Sequence, residues 1–346
     1  MGPYREIVGT ITSGNIPALL GLDAARAGET LSQDKDVVPF EAVKYVTEPV
    51  VTMAVEPKYS RDLPRLIETL RRLSIEDPNL VTKINEETGE YLISGMGTLH
   101  LEIANTLITK TGLEIVTSNP IVIYRETVRG SAGPLEGRSP NRHNKIYIQV
   151  EPLDEETINM IKKGDISEYQ DKHAMAKVLR DKGWPPEEAR GVWAVEDSGN
   201  MLIEVTKGAQ YLQEIKDHIL HGYRQALREG PLAYETVRGI KVKVTDVSVH
   251  EDPVHRGPAQ IMPMTQRAIF ACFMSANPTL LEPVQKITVK APPDLLGAAT
   301  SVISQKRGKV LSVEQKGHLV YVVGELPTSE TFDLSEVMRG ASAGRA

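Results

Sequence analysis

Four side chains able to do chemistry fall within seven residues: His250, Asp252, His255 and Arg256, in the run Val247-Ser-Val-His-Glu-Asp-Pro-Val-His-Arg-Gly-Pro-Ala-Gln260. Two imidazoles and a carboxylate at this spacing could hold a divalent metal of the hydrolytic type. Without a metal, the same groups offer flat rings, each with one donor and one acceptor, beside a guanidinium, a set suited to RNA. No His-Glu-x-x-His pattern accompanies them, so recognition chemistry is favoured over hydrolysis, with a solvated structural loop as the plainer alternative. The elements that must position these groups are readable on either side. Ile240 to Val249 alternates like a strand, and a long apolar run containing Ile269-Phe-Ala-Cys-Phe-Met274 follows, so the spacing predicts a strand, a loop and a helix with the polar groups at the turn. Pro253 and Gly257-Pro258 restrict the loop to few conformations.

Two further stretches stand out. Arg125, Arg129, Arg138, Arg142 and Lys145 face only Glu126 and Glu136 in the segment 125–145, a local excess of three positive charges in a chain of formal net charge −6. Composition alone allows a solvated charged loop there. The acidic balance of the whole argues against a general nucleic-acid coat, because phosphate binding is driven by cations, so any RNA contact is local. The second stretch is Ile93-Ser-Gly-Met-Gly-Thr-Leu-His-Leu-Glu-Ile103, where Gly95 and Gly97 flank Met96 and permit a tight turn and a close backbone approach. His100, alone on an amphipathic helix, is expected to be structural or to pack against a neighbouring module.

These words carry a family resemblance. His-Glu-Asp-Pro-Val-His-Arg-Gly resembles the diphthamide loop of archaeal and eukaryotic elongation factor 2, the ribosomal translocase, in which the second histidine of a His-x-Asp-x-x-His-Arg-Gly pattern is modified. That histidine is His255. Pro258-Ala259 stands where eukaryotic members have glycines, which points to an archaeal version. Ser139-Pro-Asn-Arg-His-Asn-Lys145 resembles a second tip loop of the same domain, and Ser-Gly-Met-Gly-x-Leu-His-Leu-Glu a signature of the third domain of elongation factors 2 and G.

The resemblance implies an α+β multidomain fold. The end of a β-barrel domain (II) is expected at 1–45, carried by Tyr4-Arg-Glu, Gly14-Asn-Ile-Pro-Ala-Leu-Leu-Gly-Leu and Ala27-Gly-Glu-Thr-Leu31. A ferredoxin-like split βαβ module (III) follows at 46–124, an elongated α+β domain (IV) like the second domain of ribosomal protein S5 at 125–277, and a truncated ferredoxin-like module (V) at 278–346. It implies GTP-dependent movement of tRNA and mRNA on the ribosome, with the tip of domain IV at the small-subunit decoding centre and the ferredoxin-like modules near the GTPase-associated region of the large subunit. Tip residues expected to meet RNA are His250, Asp252 as a brace, Arg256, Gly257, Arg142, His143 and Lys145. His255 would receive an aminocarboxypropyl group from S-adenosylmethionine on the ring carbon between its nitrogens, added by diphthamide biosynthesis enzymes. GTP and Mg²⁺ belong to an N-terminal domain that this sequence does not contain. No Gly-x4-Gly-Lys-Ser/Thr occurs, Arg307-Gly-Lys-Val310 being nearest, so the chain alone is not expected to be catalytic. A ribosome-maturation GTPase of similar layout and, from another class, a metal-dependent hydrolase are the rival readings.

Bulk properties fit. A chain of 346 residues suggests two to four domains. Cys272 is alone in an apolar run, which gives no disulfide framework or thiolate metal site and is a cytosolic pattern. No run approaches the ~18 apolar residues that span a bilayer. The N-terminus has no apolar signal, and Glu6 stands where myristoylation wants Ser or Thr. A cytoplasmic monomer with no membrane association is expected.

Periodicity sets the remaining expectations. Short strands are read at Ile7–Ile11 and Ile16–Leu20, and strands at 50–55, 80–84, 91–94 and 113–116, with a hairpin signal at Glu87-Thr-Gly-Glu90. Asp62 is placed to cap a helix bearing Leu66, Leu70 and Leu73, and Leu99, Ile103 and Leu107 lie four apart on a second. A helix is read over 166–181, ended by Gly183-Trp-Pro-Pro186, with strands at 191–196 and 201–206. The long helix at 208–229 carries a core stripe of Tyr211, Ile215, Ile219 and Tyr223. Strands at 287–290, 309–314 and 319–323, a helix capped by Asp294, carrying Leu295, Ala299 and Val302, and stopped by Gly308, and a helix at 334–339 complete the chain.

Overall fold

Val51, Met53 and Val55 alternate inward and make β1 (Val51–Pro57) the middle of the first sheet. The computed structural model describes residues 6–22, 25, 29–33, 37–40, 48–84 and 90–345. After β1 come α1 (Leu63–Glu76), β2 (Val81–Ile84), β3 (Tyr91–Gly95), α2 (Thr98–Lys110) and β4 (Ile115–Thr117). The sheet order β2-β3-β1-β4, antiparallel throughout, is that of a ferredoxin-like split βαβ module, with short β5 (Ile121–Val122) also on β1.

Three expectations need correction in this first part. Ile7–Ile11 and Ile16–Leu20 form no strand and are largely exposed, because no described segment lies beside them to complete a ladder. Residues 4–5 and 27–28 and most of the hairpin expected at 87–90 lie outside the described residues. Asp62 makes no capping hydrogen bond, since a 3-10 turn at Ser60–Asp62 leads into α1 with helical backbone. On α2 the expected face is the wrong one: Leu99, Ile103 and Leu107 are 67%, 51% and 40% exposed, while Leu101, Ala104 and Ile108 are buried with Leu66, Leu70 and Leu73.

The central part begins with β6 (Arg125–Val128), β7 (Ala132–Arg138) and β8 (Lys145–Pro152), passes through α3 (Glu155–Lys163), α4 (Lys172–Asp181), α5 (Pro186–Arg190), β9 (Val192–Glu196) and β10 (Asn200–Glu204), and continues with α6 (Leu212–Arg228), β11 (Ile240–Ser248), α7 (Pro258–Ser275) and β12 (Pro278–Leu281). Its sheet runs β7-β8-β11-β10-β9, and only β10 and β11 are parallel, joined across by α6. One face of the sheet, with Ile146, Ile148, Val242 and Val244, packs on α6 and α7 through Ile219, Tyr223, Met264 and Phe273. The other, with Met201 and Ile203, packs on Met160, Met175, Leu179 and Ala189 of α3 to α5. Alternate residues of one strand therefore serve two cores.

Here too the structure differs from the periodicity. The helix expected over 166–181 begins only at Lys172, because Asp171 accepts from Ala174 N (2.9 Å) and caps it. Pro186 opens α5 instead of ending a helix, as a proline suits a first turn where its missing N–H is not needed. Tyr211 precedes α6 in a left-handed conformation (φ 59°) and leaves the buried stripe to Leu212, Ile215, Ile219 and Tyr223.

The last part comprises β13 (Val284–Ala291), α8 (Leu296–Gln305), β14 (Lys309–Lys316), β15 (Leu319–Pro327) and α9 (Leu334–Ala341), with sheet order β13-β15-β14. Asp294 pairs with Arg345 (3.1 Å) and makes no cap. Arg307, not Gly308, takes the left-handed turn after α8 (φ 55°); Gly308 is there because a Cβ would lie 2.6 Å from Ile303 O. The three parts are tied together. Arg238 binds Glu48 (3.0 Å), joining the central part to the first, and Gln285 donates to Met96 O (3.0 Å), joining the last part to the first.

Candidate functional site

Two loops separated by about a hundred residues meet because of one strand register. β8 and β11 pair antiparallel with Lys145 opposite Ser248 and Ile146 opposite Val247, so the turn that enters β8 (139–144) lies beside the turn that leaves β11 (249–257). This is one end of the central sheet, and α7 starts from the same end at Pro258.

At that end three imidazoles face one another. Ring centroids are 4.7 Å apart for His250 and His255, 5.0 Å for His143 and His255, and 5.1 Å for His143 and His250. His250 Nδ1 accepts from Asp252 N (3.0 Å), and the Asp252 carboxylate accepts from Val254 N (3.0 Å), capping the 3-10 turn Pro253–Arg256. Val254 stands 81% exposed beside His255. Gly257 caps α7 in an extended conformation and has open space around it.

Beneath the rings lies a buried polar frame. The Asn144 side chain donates to His255 O (2.7 Å) and accepts from His250 N (3.0 Å), so a single amide binds the loop at both ends. Asn141 Nδ2 also donates to His255 O (2.9 Å), and Asn141 N donates to Gln260 Oε1 (2.9 Å) at the start of α7. Arg256 is only 5% exposed. Its Nη1 donates to His250 O (2.9 Å) and Glu251 O (2.8 Å), its Nη2 to Glu214, and its guanidinium lies 4.1 Å over the Tyr211 ring. The left-handed backbone at Tyr211 thus serves to place that ring under the arginine.

Of the tip residues singled out in the sequence, His143, His250 and His255 form one cluster with Asp252 and Gly257 in the same loop. Arg142 is exposed beside them in a left-handed conformation (φ 62°). Arg256 turns inward and is committed to carbonyls, Glu214 and Tyr211, so the RNA contact expected of it does not fit its burial. Lys145 pairs with Glu136 (3.2 Å), which also holds Arg138 and accepts from Tyr147 Oη (2.7 Å). The Arg138 and Tyr147 hydrogen bonds hold the Glu136 carboxyl well down, at about 2. Arg125 lies near Glu48 (4.0 Å) and the exposed Arg129 sits beside Asn277, past the far end of α7, so within this segment Arg142 is the exposed cation at the apex. Asn141, Asn144 and Glu214 were not singled out in the sequence, and Tyr211 was read only as part of a core stripe. Amides in a loop look like surface residues, and only the pairing of β8 with β11 shows that these are inside.

The Gly95-Met96-Gly97 turn is structural and lies between parts of the chain. His100 Nδ1 accepts from Met96 N (3.1 Å), which leaves the proton on Nε2 to be donated to Asp77 (2.8 Å). A Cβ on Gly95 would lie 2.8 Å from that Nδ1. Among the described residues, no group of three or more His, Cys, Asp or Glu side chains is placed to hold a metal ion. No described helix is long and apolar enough to cross a membrane.

Models described as elongation factor G domain III, domain IV and C-terminus match residues 46–119, 164–277 and 279–346. The chain is thus built from domains of a translation elongation factor. Among named relatives, elongation factor 2 of Staphylothermus marinus is 54% identical, that of Ignicoccus hospitalis 54% and that of Aeropyrum pernix 52%, each over all of this chain and 48% of the relative. The chain belongs to the elongation factor 2 family and spans about half the length of these curated relatives.

Proposed function

We propose that this chain is the ribosome-facing half of a GTP-dependent translocase, and that its three-histidine apex enters the decoding centre to move tRNA and mRNA by one codon. The observation that carries this reading is the convergence of the 139–145 and 250–257 loops into one exposed polar tip on a buried, hydrogen-bonded frame. Flat rings and the exposed Arg142 guanidinium suit a duplex whose shape and backbone are met without base readout. His255 carries the diphthamide group, which extends a cationic, hydrogen-bonding arm from the cluster. GTP and Mg²⁺ act in a partner domain of the full-length factor, and the small-subunit decoding region, tRNA, mRNA and the large-subunit GTPase-associated region are its contacts, in the cytoplasm.

The test uses a full-length factor with His255→Ala. Ribosome binding and GTP hydrolysis are expected to persist while mRNA movement slows and reading-frame errors rise several-fold. Unchanged rate and frame maintenance would contradict an apex role in translocation.

A further inference from the structure

We propose that Asn144 is a positioning residue for the apex: a buried amide on one loop that fixes the main chain of the other loop, leaving the His255 ring free to act. The inference rests on the apex engaging the ribosome and adds to it the group that sets its shape.

Asn144 is wholly buried, at 0% exposure, where β8 begins. A buried primary amide costs free energy unless its groups are satisfied, and asparagine is a poor strand residue. Here every group is used. Nδ2 donates to His255 O (2.7 Å) and to Ser139 Oγ (3.1 Å), and Oδ1 accepts from His250 N (3.0 Å). The backbone of Asn144 closes its own loop, its N–H donating to Ser139 Oγ (3.0 Å) and its carbonyl accepting from Ser139 N (3.0 Å). The residue therefore fastens both turns at once. No side chain without an adjacent donor and acceptor reproduces this: aspartate keeps the acceptor and loses the donor, and alanine loses both.

The bonds fall on the two residues whose rings are in contact, His250 and His255, and each is to the main chain. The backbone of His255 is held at its carbonyl by groups from another loop, and its ring makes no hydrogen bond within this frame. Asn141 duplicates only the bond to His255 O, which makes it an internal control. The main chain of His255 is thus held at its N–H by Asp252 O (3.1 Å) of its own loop and at its carbonyl by Asn144 and Asn141 of the other.

The experiment compares Asn144→Ala, Asn144→Asp, Asn141→Ala and His255→Ala in a full-length factor. It reads amide exchange at His250, mRNA movement at saturating factor, and ribosome affinity. For Asn144→Ala, exchange at His250 is expected to rise about tenfold, the loss of one hydrogen bond, and mRNA movement to slow about tenfold, with ribosome affinity within about twofold. Asn144→Asp keeps the acceptor, so His250 stays protected, yet movement slows because a buried carboxylate oxygen now faces His255 O where the donor was, a repulsion that the remaining Asn141 bond does not remove. Asn141→Ala slows movement less than about threefold, since Asn144 still holds the carbonyl. Wild-type movement with an opened His250 amide in Asn144→Ala would reduce Asn144 to ordinary packing and overturn the proposal. If Asn144→Ala does not fold, Asn144→Asp decides it, and a wild-type rate there overturns it. A wild-type rate in His255→Ala would instead sink the apex reading itself, so the two failures are distinguishable.

Discussion

Replacing Arg256 by methionine tests whether the apex is held from within. Methionine keeps much of the stem volume and removes the guanidinium. Two charge-assisted bonds to His250 O and Glu251 O are lost, about 1 kcal/mol each net after water reaches the loop. The stacking on Tyr211 adds about 1 kcal/mol. Glu214 is more than half exposed, so its ion pair contributes little. The sum is about 3 kcal/mol, and at a factor of ten per 1.4 kcal/mol this is an increase of about a hundredfold in local opening. Amide exchange of the 250–257 loop reads it directly, and it avoids assigning one unfolding midpoint to a chain of several domains. Arg142→Met, at an exposed position on the same apex, is the control and should change exchange by less than about threefold. If Arg256→Met also stays below threefold, the arginine is not the internal anchor. If Arg142→Met matches it, charge at the apex matters and the buried frame does not.

Other outcomes follow from packing and charge. Gly222→Ala places a Cβ 2.7 Å from Met262 O, a backbone atom of the facing helix, so despite better helix propensity it should cost about 2 kcal/mol, read as faster amide exchange of α6 and α7; slower exchange there would refute the close approach of the two helices. The Glu136 carboxyl, lowered to about 2 by Arg138 and Tyr147, contributes stability that is full above its ordinary value near 4.5 and is lost as pH falls through 2. Carboxyl NMR should place its titration near 2, and a midpoint near 4.5 would remove the contribution. Burial raises the Cys272 thiol to about 11, and its Sγ donates to Ile148 O (2.9 Å), so alkylation at pH 8 should be negligible until the chain is unfolded. Rapid labelling of the native chain would show the α7 face to be open.

Much of the architecture was legible because it rests on local pattern. The strand over 240–249, the turn rich in Pro and Gly and the apolar helix after it were read from alternation and breakers, and β11 and α7 follow them closely. Failures came where two readings shared one pattern. Apolar residues surround α2, at 99, 101, 103, 107 and 108, so a stripe at spacing four could be drawn on either side, and only packing against α1 selects Leu101, Ala104 and Ile108. Pro185-Pro186 reads equally as a stop or a start, and the Glu pair after it makes it a start. His250 and His255 were found by type and spacing, and His143 by the resemblance of the 139–145 stretch to a second tip loop. The role of Arg256 was not, because an arginine beside histidines in a loop reads as a surface cation. Its burial depends on Glu214 and Tyr211, some forty residues earlier in the chain. Asn144 was hidden for the same reason, since its partners come from a strand pairing that no local window contains.

The most direct test of the central claim is mass spectrometry of the peptide containing His255, from protein purified out of its native host. The account predicts a stoichiometric added mass matching diphthamide on His255, and none on the neighbouring His250 or on His143. Unmodified His255 throughout the population would contradict the assignment of this apex as a translocase tip and leave only the family fold standing.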